Sequence, residues 1–321
     1  MSLAPSGTQE VRSPMETHDW GQLTILMYHA VIRALLPVYE WCFVDAAAFR
    51  SQMLYVKQRF RVLTLSEAVE RLKHGKIDRP TVVLTFDDGF QNNYDVAFPI
   101  LRDAGIPATV FLTTGLVSTN DTVWFCRLNR ALAETRKTSL AWDGCRFALA
   151  GLGAKAKVAS TIKARLKELP HAQLLTELRT IVLRLGDDPD RPVAVGSTFH
   201  MLDRAAIVAM ADSGLFEFGA HTHSHAILSL LTPQERHDEI VRSITTVHKL
   251  TGRPCTLFAY PNGRAQDYDV GDIAILESCG VRVAVTAIAG PNDSQTSVME
   301  LRRYGIGANL SLEGFKEYMP G

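Results

Sequence analysis

Three short polar clusters carry residue types suited to hydrolysis. Asp87 and Asp88 follow the apolar run "VVLTF", "HTHSH" (His221 to His225) follows "FEFGA", and "YPNG" (Tyr260 to Gly263) follows "TLFA". Adjacent carboxylates repel each other and are costly to desolvate, so a pair at the tip of an apolar run calls for a compensating cation. Two imidazoles and one carboxylate with an open position make a catalytic metal site, and the other carboxylate is then free to accept a proton. Neighbouring residues on a regular strand point to opposite faces. Asp87 and Asp88 can therefore converge only if the chain bends, which Gly89 permits. "HTHSH" leaves two arrangements open. Turned like a helix, it puts His221 and His225 on one face with His223 pointing away. Extended, it puts all three histidines on one face.

The elements that must position these clusters are legible as alternating patterns. Short apolar runs at 23–28, 82–86, 108–112, 216–220, 256–260 and 281–286 read as strands, with 301–306 a weaker candidate. Amphipathic stretches lie between them. "AAAFRSQMLYVKQRF" places Phe49, Met53 and Val56 on one face, and "SEAVERLKHG" is expected to start at a Ser66 N-cap and stop at Gly75. In "TPQERHDEIVRSITTVHKLTG" Thr232 precedes Pro233, a residue suited to a first helical position. Strand–helix alternation predicts a parallel α/β protein, in which functional groups gather at the C-terminal ends of the strands. Pattern alone does not choose between a barrel and an open sheet.

Residues 119–198 differ: "AKAKVASTIKARLKELP" and "HAQLLTELRTIVLRLGDD" are amphipathic helices with almost no strand signal around them. This segment holds 13 Lys and Arg against 8 Asp and Glu, a net of +5, in a chain whose formal net charge is zero. It is read as a helical insertion with solvated basic faces or with a docking surface for an anionic carrier, membrane or partner. The balanced total charge lacks the basic excess of a general nucleic-acid binder. No stretch approaches the roughly 18 apolar residues of a membrane span. The first 20 residues carry no apolar signal-like core, so a flexible tail and a cytoplasmic location are expected. Five cysteines without a CxxC are expected to be reduced thiols.

In that order, "TFDDGF", "GAHTHSH" and "FAYPNG" closely resemble the polysaccharide deacetylases of the NodB-homology group, a carbohydrate esterase family 4-like set. "ILMYHAV", "NYDVAFPILRDAGIPATVFL" and "LTGRPCTLFAYPNG" resemble it too, so the likeness covers roughly residues 22–118 and 199–307. The resemblance implies a distorted (β/α) barrel of seven strands, built from 21–118 and 199–321 and interrupted by the insertion at 119–198, with the tail at 1–20. It implies metal-dependent hydrolysis of acetyl groups from N-acetylated sugars of a polysaccharide or glycan precursor, with zinc the usual ion and cobalt an alternative. Carried over residue by residue, Asp87 resembles the general base, and Asp88, His221 and His225 the metal ligands. Asn262 falls where a backbone N–H holds the oxyanion, which suits a residue following Pro261. Two positions depart. Ala259 stands where the family has an arginine that orients the base, and "ELRRYGIG" replaces the late leucine–x–histidine that supplies the acid. Arg302 or Arg303 is expected to replace the arginine. Only one of them can face the site from a strand, and Arg303 is preferred. His29, after the strand in "MYHAV", is the candidate acid. The alternatives are cleavage of another amide or an O-acetyl ester, or a weakly catalytic carbohydrate-binding barrel.

Overall fold

The apolar runs fold as strands buried on both faces, as parallel strands covered by helices must be. In this computed structural model, which describes residues 21–320, the strands are β1 (Leu23–Tyr28), β2 (Ala30–Ile32), β3 (Phe43–Asp45), β4 (Arg61–Leu63), β5 (Thr81–Phe86), β6 (Ala108–Leu112), β7 (Ser139–Trp142), β8 (Cys145–Ala148), β9 (Phe216–Ala220), β10 (Leu257–Ala259), β11 (Val283–Val285) and β12 (Tyr304–Gly305). The helices are α1 (Ala46–Arg59), α2 (Leu65–Lys73), α3 (Phe98–Ala104), α4 (Trp124–Glu134), α5 (Gly151–Leu166), α6 (His171–Leu185), α7 (Arg204–Asp212), α8 (Pro233–Thr251), α9 (Val270–Ser278) and α10 (Leu312–Lys316). The tail expected at 1–20 lies outside the described residues. Among the described residues no helix is long and apolar enough to cross a membrane.

Seven strands follow one another in the order β11-β10-β9-β6-β5-β1-β12, and β4 pairs with the first half of β5. Every neighbouring pair is parallel. A parallel bridge from Val285 to Leu301, just ahead of β12, joins the two ends of this path, so the sheet closes as a distorted barrel. Alternation sorts the side chains. Leu26, Tyr28, Leu84 and Phe86 join the core under the helices, while Leu23, Ile25, Val83, Phe111, Leu257, Val285 and Leu301 fill the barrel interior.

Two local expectations are corrected. Helix α2 is capped by Thr64, not Ser66: the Thr64 hydroxyl accepts from the Glu67 N–H at 3.2 Å, two residues upstream of the expected cap. The segment 119–198 is also not wholly helical, because β7 and β8 form an antiparallel hairpin. Its two-residue turn, Asp143–Gly144, has φ of 50° and 66°. Asp-Gly is the residue pair that the tight mirror-image hairpin turn demands, and that signal prevails over the helical context. The insertion packs Trp124, Leu128, Ile162 and Val182 against Ile32, Phe43 and Phe90 in a core of its own. Many of its basic residues are paired: Lys163 with Glu40, Arg165 with Asp143, Arg179 with Asp190 and Arg191 with Glu134.

Candidate active site

Asp87 sits one residue beyond β5 and continues the inward parity of Val83 and Thr85. Arg303 reaches it over the one intervening strand, β1. The register Leu26↔Tyr304 and Met27↔Thr85 places Arg303 level with Ile25, below Thr85. Its guanidinium extends upward, donating to the Thr286 carbonyl (2.7 Å), to Thr85 Oγ1 (3.0 Å) and to both oxygens of Asp87 (2.7 Å each). Arg303 is 1% exposed and Asp87 2%, so this fork is a desolvated, bidentate ion pair. Burial pushes the Asp87 carboxyl up, but Arg303, His221 and His29 together hold it below the ordinary carboxylate value. Arg302 has the opposite parity: its backbone meets Asn292 and its side chain packs at Gly290.

The bend that the carboxylate pair requires is spread over two residues, Asp88 at φ 72° and Gly89 at φ 83°. A Cβ on Gly89 would lie 2.8 Å from Leu112 Cδ2, so a side chain there would also have to displace the buried Leu112. The turn swings Asp88 towards two imidazoles. His225 Nε2 lies 3.2 Å and His221 Nε2 3.6 Å from Asp88 Oδ1. "HTHSH" is neither helical nor extended. Thr222 (φ 58°) and His225 (φ 63°) are both left-handed. For a β-branched threonine that conformation costs on the order of 1–3 kcal/mol. It turns His223 out to Thr114 Oγ1 (3.0 Å) and brings the His221 and His225 rings to 5.0 Å between centroids. Glu239 of α8 fastens the loop, accepting from the backbone N–H groups of His223 and Ser224 and from the Ser224 hydroxyl, each at 2.8 Å.

The donor set fits a divalent cation. One atom each from Asp88, His221 and His225 lies within 4.8 Å of the others. Both Asp88 oxygens are buried without a hydrogen-bond partner, an arrangement that is expensive for a carboxylate unless a cation compensates it. His221 Nδ1 lies 2.7 Å from the Ala259 carbonyl, which can only accept. Nδ1 therefore carries the proton and Nε2 keeps its lone pair, the usual outer-sphere fixing of a metal-ligating histidine. Burial lowers the His221 pKa to about 4, with Asp87 opposing and His225 reinforcing the shift. The sign follows directly. Between about pH 6.5 and 4 the unfolded chain binds a proton that folded His221 refuses, so stability falls as pH falls through that window. Chelator-stripped protein is expected to lose melting temperature over this range, and less steeply when His221→Asn is introduced. Equal slopes in both proteins would show that His221 is not held neutral.

One cavity of about 320 Å³ is lined by His29, Asp87, His221, His225, Asn262 and Arg303, with Asp88 buried against the two imidazoles. The structure thus brings Asp87, Asp88, His221, His225, His29, Asn262 and Arg303 together around one cavity, while Arg302 and His223 lie outside it. His29 has a buried Nδ1 without a partner, and its ring stands edge-on to Trp41 at 5.2 Å. Asn262 is left-handed (φ 61°), and its backbone N–H finds no acceptor among the described residues. The cavity also takes Glu40, Trp41, Lys163 and Lys167, which the sequence reading missed. The lysines stand four residues apart on α5 and its C-cap, a spacing that sequence alone cannot tell from a solvated basic face. A larger cavity of about 480 Å³, lined in part by Trp124, His171, Leu178 and His223, contains none of the acid pair.

The sequence model of the family described as polysaccharide deacetylase matches residues 74–178 and 188–284. The chain belongs to the polysaccharide deacetylase family. Membership makes it a hydrolase acting on carbon–nitrogen bonds. A Bacillus subtilis relative named as a polysaccharide deacetylase, YxkH, is 22% identical over 309 residues, spanning 95% of this chain and 78% of the relative. The poly-beta-1,6-N-acetyl-D-glucosamine N-deacetylase of Staphylococcus epidermidis is 37% identical over 100 residues, which is 30% of this chain and 33% of that protein. Among solved structures, the Streptococcus pyogenes deacetylase PplD in complex with acetate superposes with a TM-score of 0.63 at 20% identity, covering 94% of this chain and 99% of that one. IcaB from Ammonifex degensii gives 0.56 at 22% identity, with 89% and 92% covered. These likenesses establish the deacetylase barrel as the fold.

Proposed function

We propose that this family member hydrolyses the N-acetyl groups of a glucosamine-containing polysaccharide or glycan precursor. The observation that carries the reading is the shared cavity: an arginine-clamped Asp87 opens on the same space as a buried Asp88–His221–His225 cluster. Asp88, His221 and His225 would hold a divalent cation, zinc by the preference of such a donor set, and that ion would supply Lewis acidity at the acetyl carbonyl. Asp87, ionised at neutral pH and fixed by Arg303, takes the proton of the attacking water. The Asn262 N–H holds the oxyanion, a donor of a kind worth about 3–4 kcal/mol. His29 delivers the proton without which the amine cannot leave. Half-exposed Tyr39 and Trp41, the latter on the cavity wall, offer aromatic faces to sugar rings.

Acetate release separates the readings. β-1,6-linked N-acetylglucosamine oligomers, chitooligosaccharides and a chromogenic acetyl ester are each incubated with zinc-loaded protein. Amide cleavage in either oligomer series is the expected result. Release from the ester alone would make the protein an esterase, and no release from any of them would leave a carbohydrate-binding barrel.

A further inference from the structure

Lys163 and Lys167 both reach the catalytic cavity from the insertion, but their surroundings differ. Lys163 Nζ meets the Glu40 carboxylate at 2.5 Å and Asn129 Oδ1 at 3.4 Å. Lys167 Nζ donates to a neutral acceptor, Asn262 Oδ1, at 2.9 Å, and no carboxylate among the described residues forms an ion pair with it. Burial lowers its pKa, Cys42 and Glu40 raise it, and Arg264 and Lys163 lower it further. A half-buried ammonium without an ion-pair contact is costly, and here it is held on the one residue assigned to the oxyanion.

Asn262 is held from its other end as well. Its Nδ2 donates to Asp267 Oδ2 at 2.7 Å, and the same buried oxygen accepts from the Arg264 N–H at 2.7 Å. Asn262 and Gly263 are consecutive left-handed residues, and a Cβ on Gly263 would lie 2.6 Å from the Ala287 N. The loop therefore has little room to relax. Its Asn side chain is a strut between the barrel, through Asp267, and the insertion, through Lys167.

We propose that Lys167 is a positioning residue for the deacetylation. By clamping Asn262 Oδ1 it fixes the orientation of the Pro261–Asn262 peptide, and so aims the oxyanion-holding N–H. The insertion would then complete the catalytic loop from outside the barrel. This rests on the oxyanion role proposed above for Asn262.

The test combines a double-mutant cycle with a measurement that needs no turnover. Lys167→Met is expected to lower kcat about tenfold with KM changed less than about twofold, short of the ~10²-fold or greater loss that removing an oxyanion donor causes. Lys167→Arg should restore most of the rate. Asn262→Gly keeps the backbone N–H and tolerates the left-handed φ, but it removes the strut. In that background Lys167→Met should cost nothing more. Hydrogen–deuterium exchange of the metal-loaded protein should be faster at residues 261–267 in Lys167→Met than in wild type. Unchanged exchange overturns the proposal even if no substrate is ever found. An unchanged kcat also overturns it, as does a tenfold loss that persists in Asn262→Gly, which would put the ammonium directly on the substrate. A wild-type protein that releases no acetate from any substrate would sink the deacetylase reading instead, and the exchange result would still decide the clamp.

Discussion

Asp87→Asn is expected to cut acetate release by about three orders of magnitude while the protein, purified without chelator, keeps its metal. The substitution is nearly isosteric and leaves Asp88, His221 and His225 untouched, but an amide cannot accept the water proton. Arg303 makes the experiment informative on a second axis. It is buried and gives Asp87 two hydrogen bonds, so loss of the carboxylate charge leaves a desolvated guanidinium short of its partner. Stability should therefore fall by about 3 kcal/mol, the lower end of the range for breaking a buried ion pair, because the Asn oxygen still accepts from one guanidinium N–H. A urea midpoint and a metal analysis separate the two effects. A variant that folds, binds metal and still turns over would move the base to another residue.

Adding zinc to chelator-stripped protein is expected to raise its melting temperature by roughly 4 °C at a hundredfold excess over Kd. Asp88→Ala should abolish that shift. The two Asp88 oxygens are buried without a hydrogen bond beside two imidazoles. Folding confines this charge and both imidazole lone pairs in one buried cluster that the unfolded chain lacks, so the ion binds the folded chain and not the unfolded one. Should zinc shift wild type and Asp88→Ala alike, the ion is bound somewhere else and the cluster is no metal site.

Much of this arrangement was legible beforehand because local chemistry demands it. Two acids at the tip of a run as apolar as "VVLTF" already called for a bend and a counter-charge, and the histidines of "HTHSH" were the available partners. Strand parity allowed only one of Arg302 and Arg303 to face the site, and the pairing of β12 with β1 makes it Arg303. Other features stayed hidden for identifiable reasons. The hairpin at Asp143–Gly144 rests on a two-residue signal inside a helical neighbourhood. The two arrangements open for "HTHSH" assumed regular backbone, and the chain took neither. Two left-handed residues, one of them a threonine, turn His223 outward.

The sequence by itself determined the residue types, their order and the parallel α/β class, since hydrophobic alternation, turn residues and clustered acids and imidazoles act over a few positions. The tertiary structure alone decided that Arg303 reaches Asp87 over the intervening β1, 216 residues away along the chain, and that Lys167 of the insertion stands against Asn262. Contacts of that kind depend on strand register and helix docking, which follow from packing summed over the whole core. No spacing within a short stretch of sequence encodes them.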